Sequence, residues 1–368
     1  MTEITFIGHP FAPIGMGEQL RSHVAASQAV GLAPKVYDIY RYAQRHDESY
    51  RTLIDPLEVA SVGGGLRVFH INADEVDEVL AAFALRGNDL AAGVNVIVPA
   101  WELPAYPQPW VEKLRYFDEV WALSHFIAGA LRAAGVESRF VGQSVEQAVG
   151  PLLPRRFFGI RESAFVLLHF FDLSSYAARK NPAAVLALFE RLREADPFAD
   201  LQLVLKVKDI ERDAEDWARE AGIPETPQIK VIATPFDALG VRGLLAACDM
   251  FVSLHRAEGF GRGLGEAMAL GRLALATGWS GNTDFMTAEN SLLVRHELAA
   301  VPPDAYPHGT GQSWAEADVA HAAALLAPVL TDPARGRAMA ERGRLDVLAS
   351  FSHRAVGLRI AEALAELG

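Results

Sequence analysis

One stretch sets the fold class. Met250-Phe251-Val252-Ser253-Leu254 is a short apolar run, followed by His255-Arg256-Ala257-Glu258-Gly259-Phe260-Gly261-Arg262-Gly263 and then by a helical pattern up to Gly271. A buried strand that empties into a glycine-rich turn and then a helix is the repeating unit of a parallel α/β sheet. Such a turn lets backbone approach a ligand closely. The helix behind it contributes its first N–H groups and the positive end of its dipole, which suits phosphate. Two carboxylates flank the turn, Glu258 at the strand end and Glu266 in the helix, eight positions apart. Carboxylates repel phosphate, so sugar hydroxyls are their natural partners. Read alone, the stretch is a site for a sugar nucleotide.

The same alternation runs through the rest of the chain. Residues 4–8 read as a buried strand, 8–17 as its glycine loop, 18–30 as a helix closed by Gly31, and 35–40 as the next strand. Strand patterns recur at 67–72, 95–100, 117–123 and 139–142, with Ser124 placed to cap a helix over 125–134. Residues 144–162 lose the pattern and carry Gly150, Pro151, Pro154 and Gly159, so the linker between two domains is placed there. It then restarts, with strands at 165–170, 201–206, 229–233, 250–254 and 273–277, and helices at 183–194 and 239–248. Residues 295–313 are polar and rich in Pro and Gly, too long for a plain connector, and read as an excursion with a task. Residues 314–348 read as helical, and a last helix at 351–367 stands beyond the natural end of the second domain. The expected division is 1–150, 151–348 and a terminal helix within 349–368.

Charge and cysteine usage narrow the partners. The net charge of −12 disfavours nucleic acid, and residues 1–150 hold 11 Lys and Arg against 18 Asp and Glu. It also weakens the case for an anionic membrane surface. No apolar run approaches the ~20 residues of a membrane span. The single cysteine, Cys248, cannot form an intramolecular disulfide, and the start of the sequence lacks the basic flank of a signal peptide, so a cytoplasmic setting is expected. No Asp-x-Asp pair in a loop and no His/Cys cluster at ligand spacing is visible, so no metal is expected. The oligomeric state is left open.

Ligands in open α/β sheets collect outside the carboxyl ends of strands, which makes His70, Asn72, Asp74 and Glu102 candidates by position. Each has a plain alternative: a core histidine, a helix cap, a solvated carboxylate in a proline-framed turn. His9 and His125 stand in the same balance. Gly15 and Gly17 follow the first strand but lack the third glycine of a dinucleotide fingerprint, leaving a tight turn or a ligand loop. A P-loop is excluded by the absence of Gly-x4-Gly-Lys-Ser/Thr.

The Glu258-x7-Glu266 spacing, inside Glu-Gly-Phe-Gly and Glu-Ala-Met-Ala-x-Gly, resembles family 4 glycosyltransferases (GT4), the retaining enzymes that use nucleotide sugars. The resemblance covers most of the chain and is sharpest from Ala246 to Asn290, where Ala247 to Leu254 and the Gly278-Trp279-Ser280-Gly281-Asn282 loop also match. It implies a GT-B fold: α/β, two Rossmann-like domains, the N-terminal one for the acceptor and the C-terminal one for the donor, with the last helix crossing back. It implies that Glu266 accepts hydrogen bonds from the ribose hydroxyls and that Glu258 contacts the transferred sugar. The backbone of Gly259, Phe260, Gly261 and Arg262 would face the diphosphate, as would Gly15 and Gly17. Lys180 matches the lysine that neutralises the leaving diphosphate, in a loop where the family has Arg-x5-Lys. Here Ser174 stands at the arginine position, and Arg179 or Lys206 could supply that charge. Trp101-Glu102 occupies a place where many relatives have a histidine, so Glu102 is an acceptor-side base or an acceptor-binding residue. The implied partners are a nucleoside-diphosphate sugar as donor and a glycan or glycoconjugate as acceptor, with no permanently bound cofactor. Nucleotide-sugar 2-epimerases share the fold, and a non-catalytic binding module is a third reading.

Overall fold

The protein, in a computed structural model, is described over residues 3–41, 47–173, 176–208, 218–219, 221–224 and 226–367. It divides into two units. The first comprises residues 1–146 together with 348–368, and the second residues 147–347.

In the first unit the strands are β1 (Ile4–Gly8), β2 (Lys35–Asp38), β3 (Leu66–Phe69), β4 (Val94–Ile97), β5 (Glu119–Ala122) and β6 (Arg139–Phe140). They form one six-stranded sheet in the order β2-β1-β3-β4-β5-β6, parallel throughout. A parallel sheet covered on both faces needs strands that are apolar almost continuously, and all five residues of β1 and all four of β3 are buried. Ser124 accepts from the Ile127 N–H at 3.1 Å and so opens the helix His125–Ala133. The first helix, Gly15–Ala29, begins inside the expected glycine loop rather than at residue 18.

The last helix, His353–Leu367, belongs to this unit and packs along Gly15–Ala29. Its contact is close: a Cβ on Gly357 would lie 2.1 Å from the Ala26 carbonyl oxygen, so only glycine fits. Arg359 donates to the Val141 carbonyl at 2.7 Å, and Arg139 pairs with Glu366 at 2.8 Å and with Glu119 at 2.6 Å.

The second unit contains β7 (Phe165–Asp172), β8 (Leu201–Lys208), β9 (Ile229–Ile232), β10 (Met250–Ser253), β11 (Leu273–Thr277) and β12 (Leu292–Val294). Their order is β12-β11-β10-β7-β8-β9, again parallel. Counted from its own first strand this is the 3-2-1-4-5-6 arrangement of a doubly wound sheet, with the strand order reversing between β7 and β10. Leu188, Phe189, Leu203, Leu205, Val252, Leu275 and Leu326 lie at the centre of its core.

One expectation is given its form here and one is corrected. Residues 295–313 make their excursion as part of a β hairpin. They hold strand β13 (His296–Ala300), which pairs antiparallel with β14 (Ser313–Ala317) across the segment 301–312. The helical reading of 314–348 starts too early: β14 comes first, and the helices Val319–Thr331 and Pro333–Phe351 follow. The cause is exposure: His296–Ala300 has no buried residue and so no apolar alternation to read. No helix among the described residues is long and apolar enough to cross a membrane.

Candidate functional site

In an open α/β sheet the crevice for a ligand forms where neighbouring strands send their connections to opposite sides. In the second unit that place lies between β7 and β10, and both connections carry charge. After β7 comes the short helix Ala177–Lys180, and after β10 comes the turn holding Glu258. Their side chains meet. Arg179 Nη1 is 3.1 Å from Glu258 Oε2, and Lys180 Nζ is paired with Glu258 Oε1. Arg179 also donates to the Ala257 carbonyl at 3.0 Å. The Arg179 side chain is 5% exposed and that of Glu258 10%. A buried carboxylate needs such partners, since burial alone raises its pKa. For Glu258 burial pushes up, but Lys180 and Arg179 outweigh it and hold the carboxyl at about 2, ionised at neutral pH.

The loop after β11 fixes the Glu258 backbone. Its N–H donates to Ser280 Oγ at 3.1 Å, and its carbonyl accepts from the Gly281 N–H at 3.0 Å. Gly281 is obligatory: a Cβ there would lie 2.0 Å from the Gly259 carbonyl oxygen. Asn282 donates to the Thr277 carbonyl at 3.0 Å, and Thr277 to the His255 carbonyl at 2.6 Å. These bonds explain why Gly-Trp-Ser-Gly-Asn accompanies the glutamates in sequence. Beneath lie His169, whose Nδ1 is 2.8 Å from the Val252 carbonyl, and His255, whose Nε2 is 3.2 Å from that of Trp279. Both are fully buried, and burial lowers their pKa values, that of His169 to about 4. They are neutral supports.

Gly261, at φ +88°, turns the chain into the helix Arg262–Ala269. The first-turn N–H groups of a helix have no intrahelical acceptor, which is the basis of anion binding at such ends. Glu266 is one turn further on and pairs with Arg262 at 2.7 Å, a contact that holds both side chains on one helix face. Lys206 lies near the end of β8, donating to the Val207 carbonyl at 3.1 Å, with its ammonium 5.8 Å from the Phe236 ring centroid. Ser174 lies outside the described residues. Among the described residues no group of three or more His, Cys, Asp or Glu side chains is placed to hold a metal ion.

The sequence does not single out Arg256, Glu316, Ser280 or His255, all of which hold this site together. His255 and Arg256 lie within the opening stretch and Ser280 within the loop that accompanies it, whereas Glu316 lies outside both. Glu316 lies 60 positions from its partner Arg256.

The candidates of the first unit are arranged differently. Gly15 and Gly17 open the helix Gly15–Ala29. A Cβ on Gly17 would come within 2.3 Å of the Ala12 carbonyl oxygen, whereas one on Gly15 meets nothing within 4 Å. The strand order reverses between β1 and β3. There His9, stacked on Tyr40 at 3.4 Å, stands 3.7 Å from Glu75, which accepts from Tyr40 at 2.8 Å. Asn72 forms a capping box with Glu75 and accepts from the Ala100 N–H at 3.2 Å, so it shapes the backbone here. His70 is buried against His23 and Phe6, and neither of its ring nitrogens has a hydrogen-bond partner among the described residues. His125 stacks on Phe140 at 4.0 Å. Glu102 is half-buried beside Trp101, whose ring packs on Trp110 and Tyr106.

Comparison with known proteins supplies a family signature and a fold. Residues 167–301 match the sequence model of the family described as glycosyl transferases group 1, a span that includes Arg179, Lys180, Glu258 and Glu266. No curated protein matches the chain by sequence. Among solved structures, Anabaena HepE in complex with UDP and glucose superposes with a TM-score of 0.69 at 16% identity, covering 100% of both chains. Sucrose-phosphate synthase from Thermosynechococcus elongatus gives 0.67 at 15% identity, over 100% of this chain and 99% of that one. A glycosyltransferase from Rickettsia africae gives 0.66 at 15%, over 100% and 98%. The chain therefore has the GT-B fold, and its second unit carries the sequence signature of the group 1 glycosyl transferases.

Proposed function

We propose that the protein is a retaining, metal-independent glycosyltransferase of the GT4 type. It moves a sugar from a nucleoside-diphosphate donor to a glycan or glycoconjugate acceptor in the cytoplasm. The observation that carries this is the buried, ionised Glu258 held between Arg179 and Lys180, with Glu266 on the helix that follows.

The chemistry asks for three things. The donor's ribose needs acceptors, for which Glu266 is offered from a helix. The transferred sugar needs to be oriented, for which Glu258 is offered. The leaving diphosphate gains charge as the glycosidic bond breaks and needs cations and backbone N–H groups. Lys180, Arg179 and the turn Gly259–Arg262 supply these, and Lys206 adds positive charge near the loop after β9. In the retaining step the bond from the anomeric carbon to the diphosphate oxygen breaks and that oxygen takes the acceptor's proton. The acceptor oxygen then bonds to the same face. The enzyme works by positioning and electrostatic support of an oxocarbenium-like state. Gly15, Gly17 and Glu102 of the first unit are assigned the family's diphosphate-loop and acceptor-side roles on the resemblance alone.

The test is calorimetric titration with UDP, GDP, ADP and dTDP and their glucose conjugates. HepE was solved with UDP and glucose, which makes UDP-glucose the first donor to try. Glu266→Ala is expected to weaken binding of the preferred free nucleoside diphosphate by about tenfold or more, the loss of ~1.4 kcal/mol or greater. Unchanged affinity would remove Glu266 from the ribose site, and no binding of any member by the wild type would sink the reading.

A further inference from the structure

The segment bearing Arg179 and Lys180 is only one helical turn long, Ala177–Lys180, and lies between two left-handed residues, Tyr176 at φ +55° and Asn181 at φ +53°. One turn closes few hydrogen bonds of its own and does not hold itself rigid. Its position has to come from outside, and Arg256 is the residue that bonds its backbone carbonyls from the strand-β10 side. The Arg256 N–H donates to the Arg179 carbonyl at 2.8 Å, and its Nη1 donates to the Ala178 carbonyl at 2.6 Å. The other side of the same guanidinium is paired with Glu316 of β14, with Nη2 3.1 Å from Oε2. The Arg256 carbonyl accepts from the Ala315 N–H at 2.9 Å, and the guanidinium lies 5.2 Å from the Trp314 ring centroid. The loop of the same hairpin also touches the segment, since Tyr306 packs on Tyr176 with ring centroids 5.0 Å apart.

We propose that Arg256 is a positioning residue for the reaction: it clamps the Arg179–Lys180 turn against hairpin β13–β14 and so sets where the two cations stand. Arg256 touches no reacting atom and acts through Lys180 and Arg179. This gives the polar stretch 296–317 a task, as the brace of the cationic turn. The inference rests on the diphosphate role given above to Lys180. A planar guanidinium can serve the Ala178 carbonyl and the Glu316 carboxylate at once, whereas a lysine ammonium keeps the charge but not the fork.

The experiment uses the full-length chain as wild type, Arg256→Gln, Arg256→Lys, Glu316→Gln, Lys180→Ala and the Arg256→Gln/Lys180→Ala double variant. Two readouts are taken: hydrogen exchange of peptides spanning 176–182, and release of UDP from UDP-glucose. Arg256→Gln is expected to speed exchange in that peptide by ~10-fold or more while the helix Pro182–Ala195 beyond its first turn is unchanged. It should lower kcat ~10-fold or more with KM within ~3-fold, as for lost transition-state support. Arg256→Lys should recover part of both effects. Glu316→Gln, which keeps the Ala178 bond, should show a smaller change of the same kind and serves if Arg256→Gln folds poorly. The double variant should lose clearly less than the sum of the two single losses, since Arg256 acts in part through Lys180. Unchanged exchange at 176–182, or fully additive losses in the double variant, overturns the proposal. Faster exchange in a protein whose wild type releases no UDP would instead sink the transferase reading and leave the clamp standing.

Discussion

The two units solve the same architectural problem with opposite chemistry. Each is a six-stranded parallel sheet with a reversal of strand order, and each gathers polar side chains there. In the second unit the gathering is ionic, with one carboxylate buried between two cations. In the first it is a network of rings and hydrogen bonds, His9 on Tyr40 and Glu75 bonded to Tyr40 and to the Asn72 backbone. The contrast teaches that shared topology places a site but does not say what it handles. A concentrated charge set in a dry crevice suits an anionic group that gains charge during reaction. Rings and hydrogen bonds suit a neutral polar one.

The sharpest way to break this comparison is at Glu258. Glu258→Ala removes the carboxylate that pairs with the buried Arg179 guanidinium and with Lys180. It should cost about 3–5 kcal/mol in denaturant unfolding of the full chain. Glu258→Gln should cost less and lower transfer by ~10²–10³ while sparing affinity for the free nucleoside diphosphate. Near-normal turnover in Glu258→Gln would take the ionic cluster out of the chemistry.

Acid provides the next test, because Glu258 and the buried histidines respond over different ranges. Glu258, held at about 2, contributes stability that is present above its ordinary range near 4.5 and is lost as pH falls through about 2. The buried histidines act earlier. Burial lowers His23 to about 4, with the Gly142 carbonyl opposing and Arg359 and His70 as its charged or titratable neighbours. The unfolded chain takes up protons below 6.5 while the folded chain does not until 4, so folded stability falls as pH drops through that window. A single such group loses about 3 kcal/mol over the range. Chemical denaturation between pH 7 and 4 should show this slope, to which buried His169 and His255 add, and His70→Phe should reduce it; a slope unchanged by that substitution would remove the His23–His70 pair as a source.

A milder test lies at the glycine loop of the first unit. Gly17→Ala places a Cβ against two carbonyl oxygens, at 2.3 Å and 2.7 Å, that cannot retreat without moving backbone. It should lose ~2–3 kcal/mol of stability. Gly15→Ala meets no obstruction and should be neutral or gain ~0.5–1 kcal/mol. If Gly15→Ala keeps stability but loses donor affinity in calorimetry, the loop binds ligand; if it keeps both, Gly15 is a helix start and nothing more.

Much of the fold is legible in the sequence because a parallel sheet writes itself as separated apolar runs. The residues of the turn after β10 are legible for a related reason: it requires Gly261 at positive φ and Gly281 under the Gly259 carbonyl, and it keeps the two glutamates at a fixed distance in the chain. Hairpin β13–β14 escapes such reading, since β13 has no buried residue and the turn residues look like any loop. The contacts of Arg256 escape it as well, because an ion pair across 60 positions leaves no local trace. Arg179 is legible as a charge beside Lys180, yet its burial against Glu258 appears only when β7 and β10 are laid side by side.

The tight seam at Gly357 also bears on how the chain is made. The second unit is one uninterrupted run of the chain, residues 147–347, whereas the first is split between residues 1–146 and 348–368. On the ribosome, synthesis of the second unit is finished while the first still lacks the helix that packs on Gly15–Ala29. The apolar face of that early helix must wait, uncovered, for more than half the chain to be translated. Nascent-chain arrest before residue 353 should therefore yield a second unit that resists protease and a first unit that does not.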